Sequence, residues 1–155
     1  MNQFRANNRP TLLDWFWTTL SSLKYRKGSS VFFEFGSYLY RHHKNVSVDR
    51  SVYFKRNSIV GCANEEAHIS VGENTTIGFN SVIVSSSKIE IGRDCMIAPN
   101  VYMVDSNHGM SMDLPFNQQE NFVAPISIED NVWIGAQSVI LPGVKIVAGS
   151  IVGAN

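Results

Sequence analysis

Long apolar runs are missing from this chain of 155 residues. No stretch approaches the ~18 to 20 consecutive apolar residues of a membrane-crossing helix. An excess of charge is missing too: Lys plus Arg and Asp plus Glu both number 13. That balance argues against a nucleic-acid binder, which carries a basic excess or stripe. Cysteine is scarce. Cys62 and Cys95 sit in no CxxC or His/Cys cluster, which leaves neither a thiolate metal site nor a disulfide framework. Both are expected to be buried thiols in a reducing compartment. The opening "MNQFRANNRPTLLDWFWTTLSSLKYRKG" is not a signal peptide: Asp14 breaks its apolar run and no small-residue cleavage site follows. The expected location is therefore cytoplasmic. What is plentiful is hydrophobic residues, 44% of the chain, which argues against disorder. The length suits one domain with a core rather than two.

Residues 11 to 26 read as a helix. Thr11 as N-cap and Asp14 at the third helical position make a capping-box-like start, with a carboxylate at the positive end of the helix dipole. Leu12, Phe16, Leu20 and Leu23 form one apolar stripe. Lys24, Arg26 and Lys27 suit its last turn, and Gly28 suits its end. The first reading of the stripe is packing against the rest of the protein. A second is a membrane-peripheral helix lying in a lipid interface, to which Trp15, Trp17, Arg5, Arg9 and the basic last turn lend themselves. The segment to about residue 45 has strand-like composition without a clean period, so residues 1–45 are taken as a helical and irregular leader.

From Val46 the pattern changes. Ile128, Ile134, Ile140, Ile146 and Val152 recur every six residues, as do Val71, Ile77, Ile83 and Ile89. The beat slips by two to Ile91, Ile97 and Met103 and breaks from about Asp105 to Ala124. Side chains alternate in an extended chain, so residues six apart face the same way. The residue two before each anchor (Ile126, Val132, Ser138, Val144, Ser150) faces inward with it. Gly or Ala often follows an anchor, as a tight corner would prefer. The pattern predicts an all-β solenoid of short parallel strands over residues 46–155, with one extruded loop at about 105–124.

The runs "VGENTT", "IGFNSV", "IGRDCM", "IAPNVY" and "IGAQSV" resemble the hexapeptide-repeat acyltransferases. That resemblance implies a left-handed parallel β-helix, triangular in section. The loop break holds His108, with Asp105 three residues earlier. A lone loop histidine is usually just solvated. This one directly follows a rigid coil, and Asp105 is expected to orient its ring. The run "IAPNVYMVDSNHG" also resembles the sugar O-acetyltransferase branch, which includes galactoside and maltose acetyltransferases and enzymes that acetylate bacterial surface polysaccharides. The resemblance makes His108 the catalytic base and acetyl-CoA the co-substrate, with no metal. It implies a homotrimer whose pantetheine groove involves Trp133, Ala136, Gly153 and Ala154. Asn80 and Asp105 are candidates for contact with a sugar or glycan acceptor. The chain stops at Asn155, before the Thr-Lys pair that helps hold coenzyme A in the family, so an unsealed C-terminal coil is expected. Two other readings stand beside this one: a non-catalytic scaffold, and a metal lyase like the γ-class carbonic anhydrases. The second needs three histidine ligands, and only His68 and His108 lie in the repeat region.

Overall fold

The structure, a computed structural model, describes residues 10–25 and 30–155. The chain winds as a left-handed parallel β-solenoid. One side stacks six short strands: Phe32–Phe33, Tyr53–Phe54, Thr76–Ile77, Met96–Ile97, Trp133–Ile134 and Ile151–Val152. The second side stacks five, from Tyr38–Arg41 to Val139–Ile140, and the third stacks five, from Val46–Val48 to Lys145–Ile146.

The six-residue beat becomes three interior columns. Phe33, Phe54, Ile77, Ile97, Ile134 and Val152 stack behind the first side, beginning with a parallel ring pair 4.7 Å apart. Leu39, Val60, Ile83, Met103 and Ile140 stack behind the second. On the third side two residues per coil point inward, for example Ile89 with Ile91 and Ile126 with Ile128. Val132 and Ser138 are buried as their offset required.

Corners follow two rules. Asn57, Asn80, Asn100 and Gln137 stack at the corner between first and second sides, all with φ between 54° and 65°. Ser51, Asn74, Asp94 and Asn131 do the same between third and first sides. Asn and Asp tolerate this left-handed conformation better than other side-chain-bearing residues. The glycines after the anchors serve a different purpose. A Cβ on Gly72 would meet Arg93 N at 2.6 Å, and one on Gly135 would meet Ala154 N at 2.5 Å. They are small so that the next coil can close down, not for positive φ.

Two expectations need correction. The solenoid starts at Phe32, not Val46: Phe32–Phe33 and Tyr38–Arg41 pair in register with the second coil. Phe33 and Leu39 occupy anchor positions six apart, but the rest of this coil is irregular and hid the beat. The helix, α1 (Leu12–Tyr25), forms with its capping box: Thr11 N donates to Asp14 Oδ2 (2.8 Å) and Asp14 N to Thr11 Oγ1 (3.2 Å). Its apolar stripe, however, does not pack on the solenoid. The buried face is Asp14, Thr18, Ser21 and Tyr25. The cause is the open edge of the first coil, whose backbone groups need partners. Thr18 Oγ1 donates to Phe33 O and accepts from Phe33 N, Asp14 Oδ1 accepts from Phe35 N, and Trp17 Nε1 donates to Ser37 O. A polar face seals that edge, so Leu12, Phe16, Leu20 and Leu23 turn outward. Arg5, Arg9, Arg26, Lys27 and Gly28 lie outside the described residues.

Candidate functional site

Every departure from the beat falls at one corner, between second and third sides. The first coil bulges there at His43–Asn45, the second around Ala63–Ala67, the third at Ser86 and Ser87, and the fourth extrudes residues 105–125. Polar side chains bolt these bulges to one another. Asn45 Nδ2 donates to Glu65 O and Ala67 O, and Asn64 Nδ2 donates to Ser86 O. Asp105 completes the series. Its Oδ1 accepts from Ser86 N (2.6 Å), and its Oδ2 accepts from Ser85 Oγ (2.7 Å) and Ser87 N (2.9 Å).

That geometry removes Asp105 from the roles expected of it. It is fully buried and its carboxylate is engaged by the coil below. It neither orients His108 nor meets an acceptor. It anchors the foot of the extruded segment instead, which the spacing Asp-x-x-His disguised.

The segment is a hairpin rather than an open loop. Ser106–His108 pairs antiparallel with Asn121–Val123, setting His108 opposite Asn121. The imidazole is exposed at the end of this short strand. Just beyond it, Gly109 N donates to Glu120 O (3.1 Å), and a Cβ at Gly109 would meet Gln119 Oε1 at 2.7 Å. Gln119 thus packs against the turn that carries His108. Its Oε1 accepts from Ser111 N (2.8 Å), and its Nε2 donates to Ser111 O (2.9 Å) and Leu114 O (2.7 Å). Nothing in the sequence marked Gln119, because a glutamine in a polar loop has no periodic signature.

The other candidates gather at a different corner. Ala136, Gly153, Ala154 and Asn80 lie between first and second sides, and Trp133 faces outward on the first. Asn155 N donates to Ala136 O, stacking the last coils there. Asn80 has a structural account of its own: it holds φ at 54°, and its Oδ1 accepts from Asn57 Nδ2 at 3.3 Å. Asn100 likewise supplies corner backbone (φ 58°). Trp133 walls an apolar groove of about 210 Å³ with Lys55, Thr76, Phe79, Met96 and Pro99. Lys55 is buried beside it and bonds Glu34 Oε1 at 3.0 Å. Within one chain, then, His108 stands at one corner of the triangle and the small-residue corner with Trp133 at another.

Outer faces differ as sharply as the corners. The third side shows Ser47, His68, Ser70, Lys88, Glu90 and Lys145 to solvent. The second shows Tyr38, Ile59, Val82, Tyr102 and Val139. Both cysteines are buried, and burial pushes both thiols up, Cys62 to about 11. Among the described residues no group of three His, Cys, Asp or Glu could hold a metal ion. His68 Nδ1 contacts its own loop at Glu66 O (2.7 Å).

Two family models match the repeats: "Bacterial transferase hexapeptide (six repeats)" over residues 125–155 and "Hexapeptide repeat of succinyl-transferase" over residues 68–103. The chain is 37% identical over 112 residues to a galactoside O-acetyltransferase of Escherichia coli strain K12, covering 72% of this chain and 50% of that protein. It thus spans about half the length of that relative. A solved galactoside acetyltransferase in complex with coenzyme A superposes with a TM-score of 0.53 at 33% identity, over 77% of this chain and 53% of that one. An N-acyltransferase, AntD of Bacillus cereus, in complex with dTDP and 3-hydroxybutyryl-CoA, shares the fold with a TM-score of 0.68 at 20% identity, over 83% and 69% of the two chains.

Proposed function

We propose that this chain, which belongs to the hexapeptide-repeat acetyltransferase family, transfers an acetyl group from acetyl-CoA to a sugar hydroxyl. The acceptor we favour is a bacterial surface polysaccharide or lipopolysaccharide sugar, on the likeness of "IAPNVYMVDSNHG" to the branch that acetylates such glycans. The observation that carries the reading is the placement of His108. An exposed imidazole ends a strand whose foot is clamped by Asp105 and whose turn is clamped by Gln119. A base held on such a support is oriented before its substrate arrives.

In the mechanism His108 takes the proton of the sugar hydroxyl as its oxygen attacks the thioester carbonyl. The tetrahedral intermediate collapses, coenzyme A leaves as the thiolate, and the imidazolium returns the proton to it. General-base catalysis of this kind supplies ~10² to 10⁴ in rate. The pantetheine arm runs along the corner of Ala136, Gly153 and Ala154, where small side chains let it approach the backbone, with Trp133 as a wall.

Two corners of one triangle cannot serve one reaction, so the site is completed by a neighbouring copy. The apolar outer faces of the first and second sides support a side-to-side homotrimer, with the polar third side left to water. Each His108 hairpin would then meet a neighbour's small-residue corner.

The test is acetyl transfer from acetyl-CoA to galactosides and to surface-glycan fragments. His108→Ala is expected to lower kcat by about 10² to 10⁴ with acetyl-CoA binding unchanged, and His68→Ala to do far less. Retention of most activity by His108→Ala overturns the mechanism. A stable monomer in light scattering removes the shared site.

A further inference from the structure

The strongest unexplained feature lies at the opposite end from the repeats that define the family. The outward face of α1 is apolar: Leu12 is 89% exposed, Leu23 74%, Phe16 66%, and Leu13 and Leu20 48% each. These residues stand on the face opposite Asp14, Thr18, Ser21 and Tyr25, which seal the first coil. Trp15, 57% exposed, flanks the stripe and is braced edge-on by Phe32 at 5.3 Å. A helix that uses its polar face for docking and shows its apolar face to solvent is built to meet something else.

The charges around that face indicate what. Lys24 is exposed in the last turn. Tyr25, the next residue, packs its ring 5.2 Å from that of His43. His43 belongs to an open recess of about 650 Å³ lined by Arg41, His42, His43, Lys44, Asn45 and Glu65. A mainly basic recess therefore adjoins the C-terminal end of the helix. The sequence repeats the asymmetry on a larger scale. Residues 1–29 hold Arg5, Arg9, Lys24, Arg26 and Lys27 against one acid, Asp14, for a net charge of +4. The remaining residues of this neutral chain therefore carry −4. Asp14 is itself buried on the sealing face of the helix, where it pairs with Arg56.

We propose that α1 and the adjoining Arg41–Lys44 recess dock the protein on an anionic lipid surface. The helix lies flat, Leu12, Phe16, Leu20 and Leu23 enter the acyl boundary, and Lys24, Arg41 and Lys44 meet phosphate headgroups. The net-negative remainder is repelled, so the solenoid stands away from the membrane. A second copy fits this face less well, because a two-fold contact through the stripe would bring the same cations on both partners together. In the side-to-side trimer proposed above, three such faces would lie at one end in one plane. That multiplicity rests on the trimer, while the surface itself does not.

The experiment is cosedimentation of the full chain with vesicles of phosphatidylcholine alone or phosphatidylcholine mixed with phosphatidylglycerol. Binding to the mixed vesicles is expected to exceed binding to the neutral ones by about tenfold or more and to fall as salt is raised. Phe16→Ser with Leu23→Ser should reduce it about tenfold or more, and so should Lys24→Glu with Lys44→Glu. All four residues are exposed, so thermal melts should stay close to the parent's. Absence of binding to mixed vesicles, equal binding to both vesicle types, or parent-like binding by either double variant overturns the proposal. A fall in molar mass on Phe16→Ser with Leu23→Ser, without vesicle binding by the parent, assigns the face to a second copy instead. No acetyl donor enters this assay, so its failure leaves the transfer reading intact, and inactivity of the enzyme leaves this one intact.

Discussion

The coils and the hairpin they extrude are built by different means. In the coils, position follows from burial: Ile77, Ile83, Ile89 and Ile134 are wholly inaccessible and sit in columns that run from coil to coil. In the hairpin almost nothing is buried. Met110 is 80% exposed and Met112 96%, and all of Asn121–Val123 is exposed. Its shape comes from a few directed bonds, chiefly those of Asp105 at its foot and Gln119 at its turn. A wall made by repetition tolerates no unpaired charge in its columns and can lose no column member cheaply. A hairpin made by bonds can lose one with little harm to the fold, at the cost of aim.

The largest effect should come from breaking the wall. Ile83→Asp places an unpaired carboxylate inside a closed column, which no part of the coil can hydrate. The variant is expected to be unfolded or insoluble by circular dichroism. Ile83→Ala, with a cavity in place of the charge, should remain folded but lose about 2 to 5 kcal/mol in denaturant titration. A soluble, cooperatively melting Ile83→Asp protein would break the contrast at its base.

The next effect sits at the junction. Asp105→Ala removes three hydrogen bonds to a buried carboxylate and leaves Ser86 and Ser87 N–H groups without partners. At roughly 1.5 kcal/mol for each of three bonds to a charged group, the loss should be about 4 to 5 kcal/mol. If Asp105 served only to orient His108, stability would barely change and activity alone would fall, so denaturant midpoints separate the two roles.

These two sites also mark how far the sequence reached. The period of six is an interior signal, and it exposed the coils from Val46 onward because Ile or Val holds an inward position in most of their strands. It missed the first coil, where Phe33 and Leu39 keep the interval but Arg41 and the turn His43–Asn45 then interrupt it. The reading of the α1 stripe as a packing face also put the helix the wrong way round. An apolar stripe carries no information about whether the neighbour needs apolar contact or hydrogen-bond partners, and here the coil edge needed partners. At the candidate site, the break in the beat marks the segment that carries His108, whereas nothing in the sequence marks the bonds of Asp105 to the coil below or those of Gln119 to its turn. Bonds to backbone groups depend on what folding brings near, and they leave no rhythm in the sequence.

A third, smaller effect tests the bonded seal at the N-terminal end. Burial disfavours the Asp14 carboxylate, but the Thr11 hydroxyl, the Phe35 and Thr11 N–H groups and the Arg56 guanidinium outweigh it and lower its pKa from 3.8 to about 2. The folded-state value lies below the unfolded one. The stabilisation is therefore complete above about pH 4 and is lost as pH falls through the folded value near 2. It amounts to roughly 2 kcal/mol. Stability measured between those limits should slope in the parent and flatten in Asp14→Asn. An unchanged slope would mean that the helix seal contributes little to the coil it covers.

The smallest effect on stability should come from Gln119→Ala, and it bears most directly on the hairpin. Its side chain makes three bonds to the turn, all of them solvent-exposed, so each competes with water and their removal should cost under about 1 kcal/mol globally. Locally the consequence is larger. Without Gln119 the Ser111 N–H loses its acceptor, and the space against Gly109 opens beside His108. Amide exchange at Ser111 should quicken while exchange at Ile83 and Ile134 stays slow. On the transfer reading, kcat should fall by about tenfold or more with acetyl-CoA binding unchanged, because a displaced base loses alignment rather than affinity. Gln119→Glu keeps the acceptor for Ser111 N–H but loses the two donated bonds, and it should recover part of the activity. If Gln119→Ala instead lowers the global melt as much as Ile83→Ala does, the hairpin is a structural part of the wall, and the distinction between burial and bonding fails at the place where His108 is mounted.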